Sequence, residues 1–158
     1  MNAPNKADPA IYPKMRGHAL GLRLPKLPDS AIHAVIMDWR VLDGNATATA
    51  LAAADGTGSI YLSSGGGFIG GGQKHPQIHE AALLAIHIAL GLSSKFEFTE
   101  TTDLPPIGEI YFYITTNSGM RIAIAKDTKV KDGTDSLLAL YVTMQQIVTF
   151  YRLMSPQS

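Results

Sequence analysis

Short runs of the chain alternate large apolar residues with polar or small ones, the pattern of strands in a half-buried sheet. Four runs show it: 46–54, 59–63, 109–115 and 120–125. A turn signal joins each pair, Asp55-Gly56 in the first and Asn117-Ser118-Gly119 in the second. Tight hairpins of this kind predict an antiparallel sheet.

A further apolar run, residues 31–39, precedes these hairpins. Its β-branched and aromatic content favours a strand. The alternative is a helix capped by Ser30, because Ile32, Val35, Ile36 and Trp39 also fit a helical spacing.

Two longer segments carry helical periodicity. Residues 76–92 begin with Pro76, which suits a first helical position, and are apolar on nearly every side. Residues 135–154 begin where Thr134 or Asp135 can cap a helix, and their apolar stripe includes Leu140, Met144 and Tyr151.

The predicted order is β-β-β-α-β-β-α, with a short strand near Phe96 before the second hairpin. This order indicates an α+β fold with an antiparallel sheet of about five strands and two main helices. One domain is expected over residues 29–158.

Residues 1–28 differ from that domain. They contain five of the nine prolines and five basic residues against one acid, whereas residues 29–158 carry eight basic and twelve acidic residues. Proline fixes φ and removes a backbone donor, so this basic arm is expected to be flexible or extended. It either lies in solvent or on its own acidic domain, or it binds an acidic partner.

The overall composition narrows the class of protein. Charged residues make up 16% of the chain and hydrophobic residues 46%, with 13 basic and 13 acidic side chains. A neutral, sparsely charged surface repels its own copies weakly and does not suit nucleic acid. The chain has no cysteine, no apolar signal segment and no membrane-spanning run, so we expect a cytoplasmic protein. Its weak self-repulsion favours a homodimer. No cofactor is expected.

The stretch ALAAADGTGSIYLSSGGGFIGG resembles the hairpin that enters the central helix of roadblock modules, and the element order is similar to the profilin-like group that includes roadblock and longin modules. The resemblance covers about residues 46–154 and implies a central antiparallel sheet with helices on its faces. It also implies a platform for small GTPases and other regulators, with no catalytic residue to transfer. Residues 55–72, DGTGSIYLSSGGGFIGGG, also resemble an uncharacterised bacterial family of no assigned activity.

The glycine run before the first long helix is the most distinctive candidate for chemistry. One interpretation is a site for a phosphate or another anion, where glycine amides meet a helix N-terminus beside a cation. The candidate ligand-binding residues are Gly65, Gly66, Gly67, Gly70, Gly71, Gly72, Lys74 and His75. The structural alternative, which we favour, is that these glycines permit a bulge or the close approach of another backbone.

No other set of residues forms a recognisable catalytic or metal motif. His75 and His79 are four residues apart, but no third ligand follows at a metal-binding spacing, so no metal site is predicted. The serines lie outside any nucleophile motif.

The helix over 76–92 has more apolar surface than one sheet can cover. We therefore expect a homodimer interface that includes Leu83, Leu84, His87 and Ile88. The leading hypothesis is a non-enzymatic regulatory or scaffolding module. The alternative is a small-molecule or anion sensor, or an enzyme, that uses loop 65–72 and the start of the helix.

Overall fold

The computed structural model describes residues 10–68 and 71–154. These residues form one antiparallel sheet with helices on both of its faces. The strands are β1 Ala34–Val41, β2 Ala46–Ala53, β3 Gly58–Leu62, β4 Gly67–Phe68, β5 Glu97–Thr99, β6 Glu109–Thr116 and β7 Gly119–Lys126. The helices are α1 Ile11–Leu20, α2 Pro76–Gly91, α3 Asp127–Lys131 and α4 Leu138–Met154. The α+β class and the antiparallel sheet are confirmed.

The sheet has seven strands in the order β4-β3-β2-β1-β6-β7-β5, so the expectation of about five strands is wrong. The two short strands lie at the edges of the sheet: β5, with three residues, is the short strand expected near Phe96, and β4, with two residues, was not expected. A strand as short as β4 shows no alternation in the sequence, because one side chain per face does not make a pattern.

Both predicted hairpins are present. Strands β2 and β3 pair antiparallel around Asp55-Gly56, where Gly56 has a φ of 89° and Thr57 N donates to an Asp55 carboxylate oxygen over 3.0 Å. Strands β6 and β7 pair around Asn117-Ser118. Residues 31–39, for which the sequence favoured a strand, contribute most of β1, which pairs with β2 on one side and β6 on the other.

One face of the sheet is covered by α2 and α4. Small residues on both sides bring α2 close to the sheet, because Ala50 and Ala52 of β2 and Ala82 and Ala85 of α2 are all buried in the same core. Larger core residues fill the remaining space, among them Phe112, Ile78, Leu140, Met144 and Ile147.

The opposite face is partly covered by α1, which lies in the arm that was expected to be flexible or extended. Tyr12, Arg16, Ala19 and Leu20 are buried, a spacing that places all four on one side of the helix. Pro13 does not prevent the helix because it lies in the first turn, where a backbone N–H has no intrahelical acceptor. The rest of the arm, residues 1–9, lies outside the described residues.

Candidate functional site

The predicted ligand loop forms a tight connection from β3 through β4 to α2. Leu62 N donates to Gly66 O over 3.1 Å and Gly65 N donates to Leu62 O over 2.9 Å. Gly65, Gly66 and Gly67 have φ values of 103°, 88° and 149°, which L-residues rarely adopt. The loop therefore needs these three glycines for its backbone path. Gly70 lies outside the described residues.

The next two glycines lie against other parts of the fold. Gly71 N donates to the Tyr151 hydroxyl over 2.7 Å, and that hydroxyl donates to Gly58 O over 2.5 Å. A Cβ atom added to Gly71 would be 2.2 Å from the Tyr151 hydroxyl, and one added to Gly72 would be 1.9 Å from Gly56 O. Close packing thus accounts for both glycines without a ligand.

Phe68 completes this packing by stacking on Tyr151, with ring centroids 4.8 Å apart and an interplanar angle of 14°. We call Phe68, Gly71, Gly58 and Tyr151 the Tyr151 cluster. It fastens the glycine loop to α4 on one side and to β3 on the other.

Lys74 and His75 lie between this cluster and α2. Their amides both donate to Gly71 O, over 3.2 and 3.0 Å, so neither amide is available to a bound anion. The Lys74 side chain is exposed and has no ion-pair partner among the described residues. Anion binding by this loop stays a prediction.

The histidines of this region do not converge. His75 occupies the position before α2 but makes no capping hydrogen bond with its side chain. The His79 ring lies over Gly56, where an added Cβ would be 2.0 Å from Nδ1, and His87 is exposed further along α2. Within residues 10–68 and 71–154, no group of three or more His, Asp or Glu side chains is placed to hold a metal.

The predicted interface residues lie mainly on the outer side of α2. Leu83 is 39% exposed, Leu84 is 45% exposed, and Leu90 extends the same surface with 55% exposure. His87 is exposed beside them, whereas Ile88 is half-buried and packs against the core. We call the outer side of α2 and α4 together the helix face.

The helix face carries almost no charge. Across the 16 residues of α2 and the 17 of α4, Glu80 and Arg152 are the charged side chains. A shallow groove of about 180 Å³ runs between the two helices and contacts Leu84, Phe150 and Gln146. Such an apolar surface with little charge resembles the centre of a protein interface, where charged residues are depleted.

Sequence reasoning missed a buried polar cluster under α1. Arg16 donates to Asp38 through Nη2 at 2.6 Å and Nε at 3.1 Å, and Thr49 Oγ1 donates to the other Asp38 oxygen at 2.5 Å. Tyr12 shares a hydrogen bond of 2.6 Å with Thr49. We call these four residues the Arg16–Asp38 cluster.

Burial governs the titration of the Arg16–Asp38 cluster. It raises the pKa of the Asp38 carboxyl, while the hydrogen bonds and charge of Arg16 act in the opposite direction. Burial also raises the pKa of Tyr12 to about 12. Because the polar groups of this cluster satisfy one another across α1, β1 and β2, the cluster fixes α1 to the sheet.

The only sequence signal for this cluster was the spacing of Tyr12, Arg16, Ala19 and Leu20. An arginine within an apolar stripe is normally taken to face solvent unless its buried partner is known. The spacing was therefore not recognised as the buried side of a helix.

Comparison with known proteins gives no assignment. The chain matches no protein-family model, no curated protein and no solved structure. Within the described residues, no helix has both the length and the apolar character needed to cross a membrane. The function is therefore argued from the surfaces described above.

Proposed function

We propose that the protein is a non-enzymatic regulatory or scaffolding module that forms a homodimer through the helix face. The observation that carries this proposal is the exposure of Leu83, Leu84 and Leu90 on a helical layer with two charged residues. The second copy is the occupant that the surface suits best, because a chain with 13 basic and 13 acidic residues repels its own copies weakly.

Apolar burial supplies the driving force for this association. Removing apolar surface from water contributes about 25 cal/mol per Å², and a stable interface buries about 800 Å² on each partner. Two helices of 16 and 17 residues, packed side by side, form this surface. In a two-fold contact the same patch meets itself, so a patch with little charge also avoids opposing like charges.

The resemblance to roadblock and other profilin-like modules supports a regulatory role. The central antiparallel sheet with helices on its faces is the element that these modules share. By this resemblance, we propose that the dimer presents a platform to a regulatory protein such as a small GTPase, and that it performs no chemistry itself.

Light scattering after size-exclusion chromatography tests the dimer with a matched pair of variants. The wild type should have the mass of two chains at micromolar concentration. Leu84→Glu should have the mass of one chain, because association would bury an unpaired carboxylate. The control is Leu42→Glu, which places the same charge at a side chain that is 64% exposed on the β1–β2 turn. This control should remain dimeric.

Two results contradict the proposal. One is a wild type with the mass of a single chain at micromolar concentration. The other is a Leu84→Glu variant that stays dimeric while circular dichroism shows it folded, because the dimer would then use another surface.

A further inference from the structure

A second cavity, of about 270 Å³, lies away from the glycine loop and the Arg16–Asp38 cluster. It forms where the segment before β1, the C-terminal end of α2 and the β6–β7 hairpin meet. The apolar part of its wall comes from Ile32, Ile114 and Leu90. The polar part comes from Asp29, Ser30, Ser93, Thr116, Ser118 and Arg121.

Arg121 is the unusual member of this wall. Its Nε atom is buried and has no hydrogen-bond partner in the described part of the chain, and its guanidinium makes no ion pair there. The guanidinium instead lies over the Phe98 ring, 4.3 Å from the centroid. Stacking on an aromatic ring restricts the orientation of an arginine while leaving its N–H groups to bind a carboxylate. The terminal N–H groups of this half-buried arginine have no anionic partner in the described part of the chain, so they can pair with an anionic group that enters the cavity.

Asp29 supplies the opposite charge at the rim. One of its carboxylate oxygens accepts from Asn117 Nδ2 over 3.1 Å. His33 fixes the orientation of Asn117. Leu24 N donates to His33 Nδ1 over 2.8 Å, so the ring proton lies on Nε2. Nε2 then donates to Asn117 Oδ1 over 2.7 Å. Asp29 and Arg121 are not ion-paired with each other, although both line the cavity.

We infer that this cavity binds a free α-amino acid with an apolar side chain. The carboxylate binds Arg121, the ammonium group lies toward Asp29, and the side chain packs on Ile32, Ile114 and Leu90. A simple anion fits less well, because Asp29 and the negative end of the α2 dipole lie in the same wall. A simple cation is repelled by Arg121. A volume of about 270 Å³ leaves room for a small organic molecule rather than a single water.

Isothermal titration calorimetry with three related compounds tests the inference. L-Leucine should bind. L-Leucinamide lacks the carboxylate and 4-methylpentanoate lacks the ammonium group, so each should bind at least about tenfold more weakly, since each leaves one charged group of the wall unpaired. Failure of the wild type to bind any of the apolar amino acids at millimolar concentration would overturn the proposal. Equal binding of 4-methylpentanoate and L-leucine would overturn the role of Asp29.

Three variants localise the site. Arg121→Gln and Asp29→Asn should each weaken L-leucine binding by at least about tenfold. Arg152→Gln removes an exposed arginine from α4 and should leave binding unchanged. Asp29 is exposed, and an asparagine at this position can still accept the hydrogen bond from Asn117, so Asp29→Asn should fold. This variant therefore tests the site even if Arg121→Gln unfolds. Wild-type affinity in a folded Asp29→Asn variant and in a folded Arg121→Gln variant would place the ligand elsewhere.

Discussion

Arg16 holds α1 on the sheet through a charge pair from which water is almost excluded, since its side chain is 9% exposed and that of Asp38 is 0% exposed. Bringing both charges out of water opposes much of their attraction, so the pair as a whole contributes little net stability. Removing one partner has a much larger effect, because the other charge then stays buried and unpaired.

We therefore expect Arg16→Met to destabilise the fold by roughly 3–5 kcal/mol at neutral pH. The loss should be smaller near pH 4. Without Arg16 the pKa of Asp38 in the folded state rises further. Between the ordinary carboxyl pKa and this raised pKa, the folded variant keeps a proton that the unfolded chain has released. The free energy of unfolding therefore falls as the pH rises through that range. Urea unfolding at pH 4 and pH 7 measures both values.

The double variant Arg16→Met with Asp38→Asn is the control for this effect. It has no buried carboxylate, so the extra loss of stability at pH 7 should disappear. An Arg16→Met variant that is as stable as the wild type at pH 7 would show that Asp38 does not need this partner.

Gly72 and Gly17 form a second test at the scale of single residues. A Cβ at Gly72 would meet the Gly56 carbonyl oxygen at 1.9 Å, whereas a Cβ at Gly17 in α1 has no neighbour within 4 Å. Gly72→Ala should therefore lower the midpoint of thermal unfolding. Gly17→Ala should raise the free energy of unfolding by about 0.5–1 kcal/mol, because alanine favours a helix over glycine. A neutral Gly72→Ala would contradict the close packing described for the loop.

At the scale of elements, helices and turns can be predicted from the sequence where they depend on neighbouring residues. The turns at Asp55-Gly56 and Asn117-Ser118 require particular backbone conformations, which the residues themselves supply. Helix α2 begins at Pro76 as predicted, and α4 begins at Leu138, three residues after Asp135, whose carboxylate accepts from Leu137 N over 2.8 Å. Helix α1 was missed because its buried stripe contains Arg16, whose partner lies 22 residues away in β1.

The candidate sites depend even more on contacts that are distant in sequence. The glycine run was visible, but its packing depends on Tyr151, which lies 80 residues from Gly71. Arg121 looked like an ordinary solvent-facing residue of an alternating strand. Its buried Nε and its contact with Phe98 become visible only when β5 pairs with β7.

Tyr151→Phe tests whether the Tyr151 cluster joins the loop, β3 and α4. The variant keeps the ring that stacks on Phe68 but removes the hydroxyl that bonds to Gly71 N and Gly58 O. We expect a loss of roughly 1–3 kcal/mol in the free energy of unfolding, because a buried donor or acceptor loses its partner. Tyr111→Phe is the control, since Tyr111 is half-buried and its hydroxyl has no hydrogen bond within the described residues. Equal effects of the two variants would contradict a joining role for Tyr151.

At the scale of the whole molecule, different elements cover the two faces of the sheet. On one face, α1 and the loop that contains Asp103 close over the strands, with Arg16 and the Tyr113 hydroxyl bonding to backbone carbonyls of that loop. On the other face, α2 and α4 bury the core and leave an apolar outer surface. The high apolar fraction of the chain and its sparse charge come together on this helix face, which is where we place the second copy.

A distance measurement between two copies tests this arrangement most directly. The chain has no cysteine, so His87→Cys on α2 and Lys14→Cys on α1 each introduce a single site for a spin label. In a dimer formed through the helix face, labels at position 87 should lie close together, because packed helices are about 8–10 Å apart. Labels at position 14 should lie farther apart, on the outer sides of the two sheets. Electron paramagnetic resonance at micromolar concentration, which detects close labels by line broadening and distant labels by pulsed dipolar coupling, should give the shorter distance at position 87. A shorter distance at position 14, or no coupling by either method at position 87, contradicts the account.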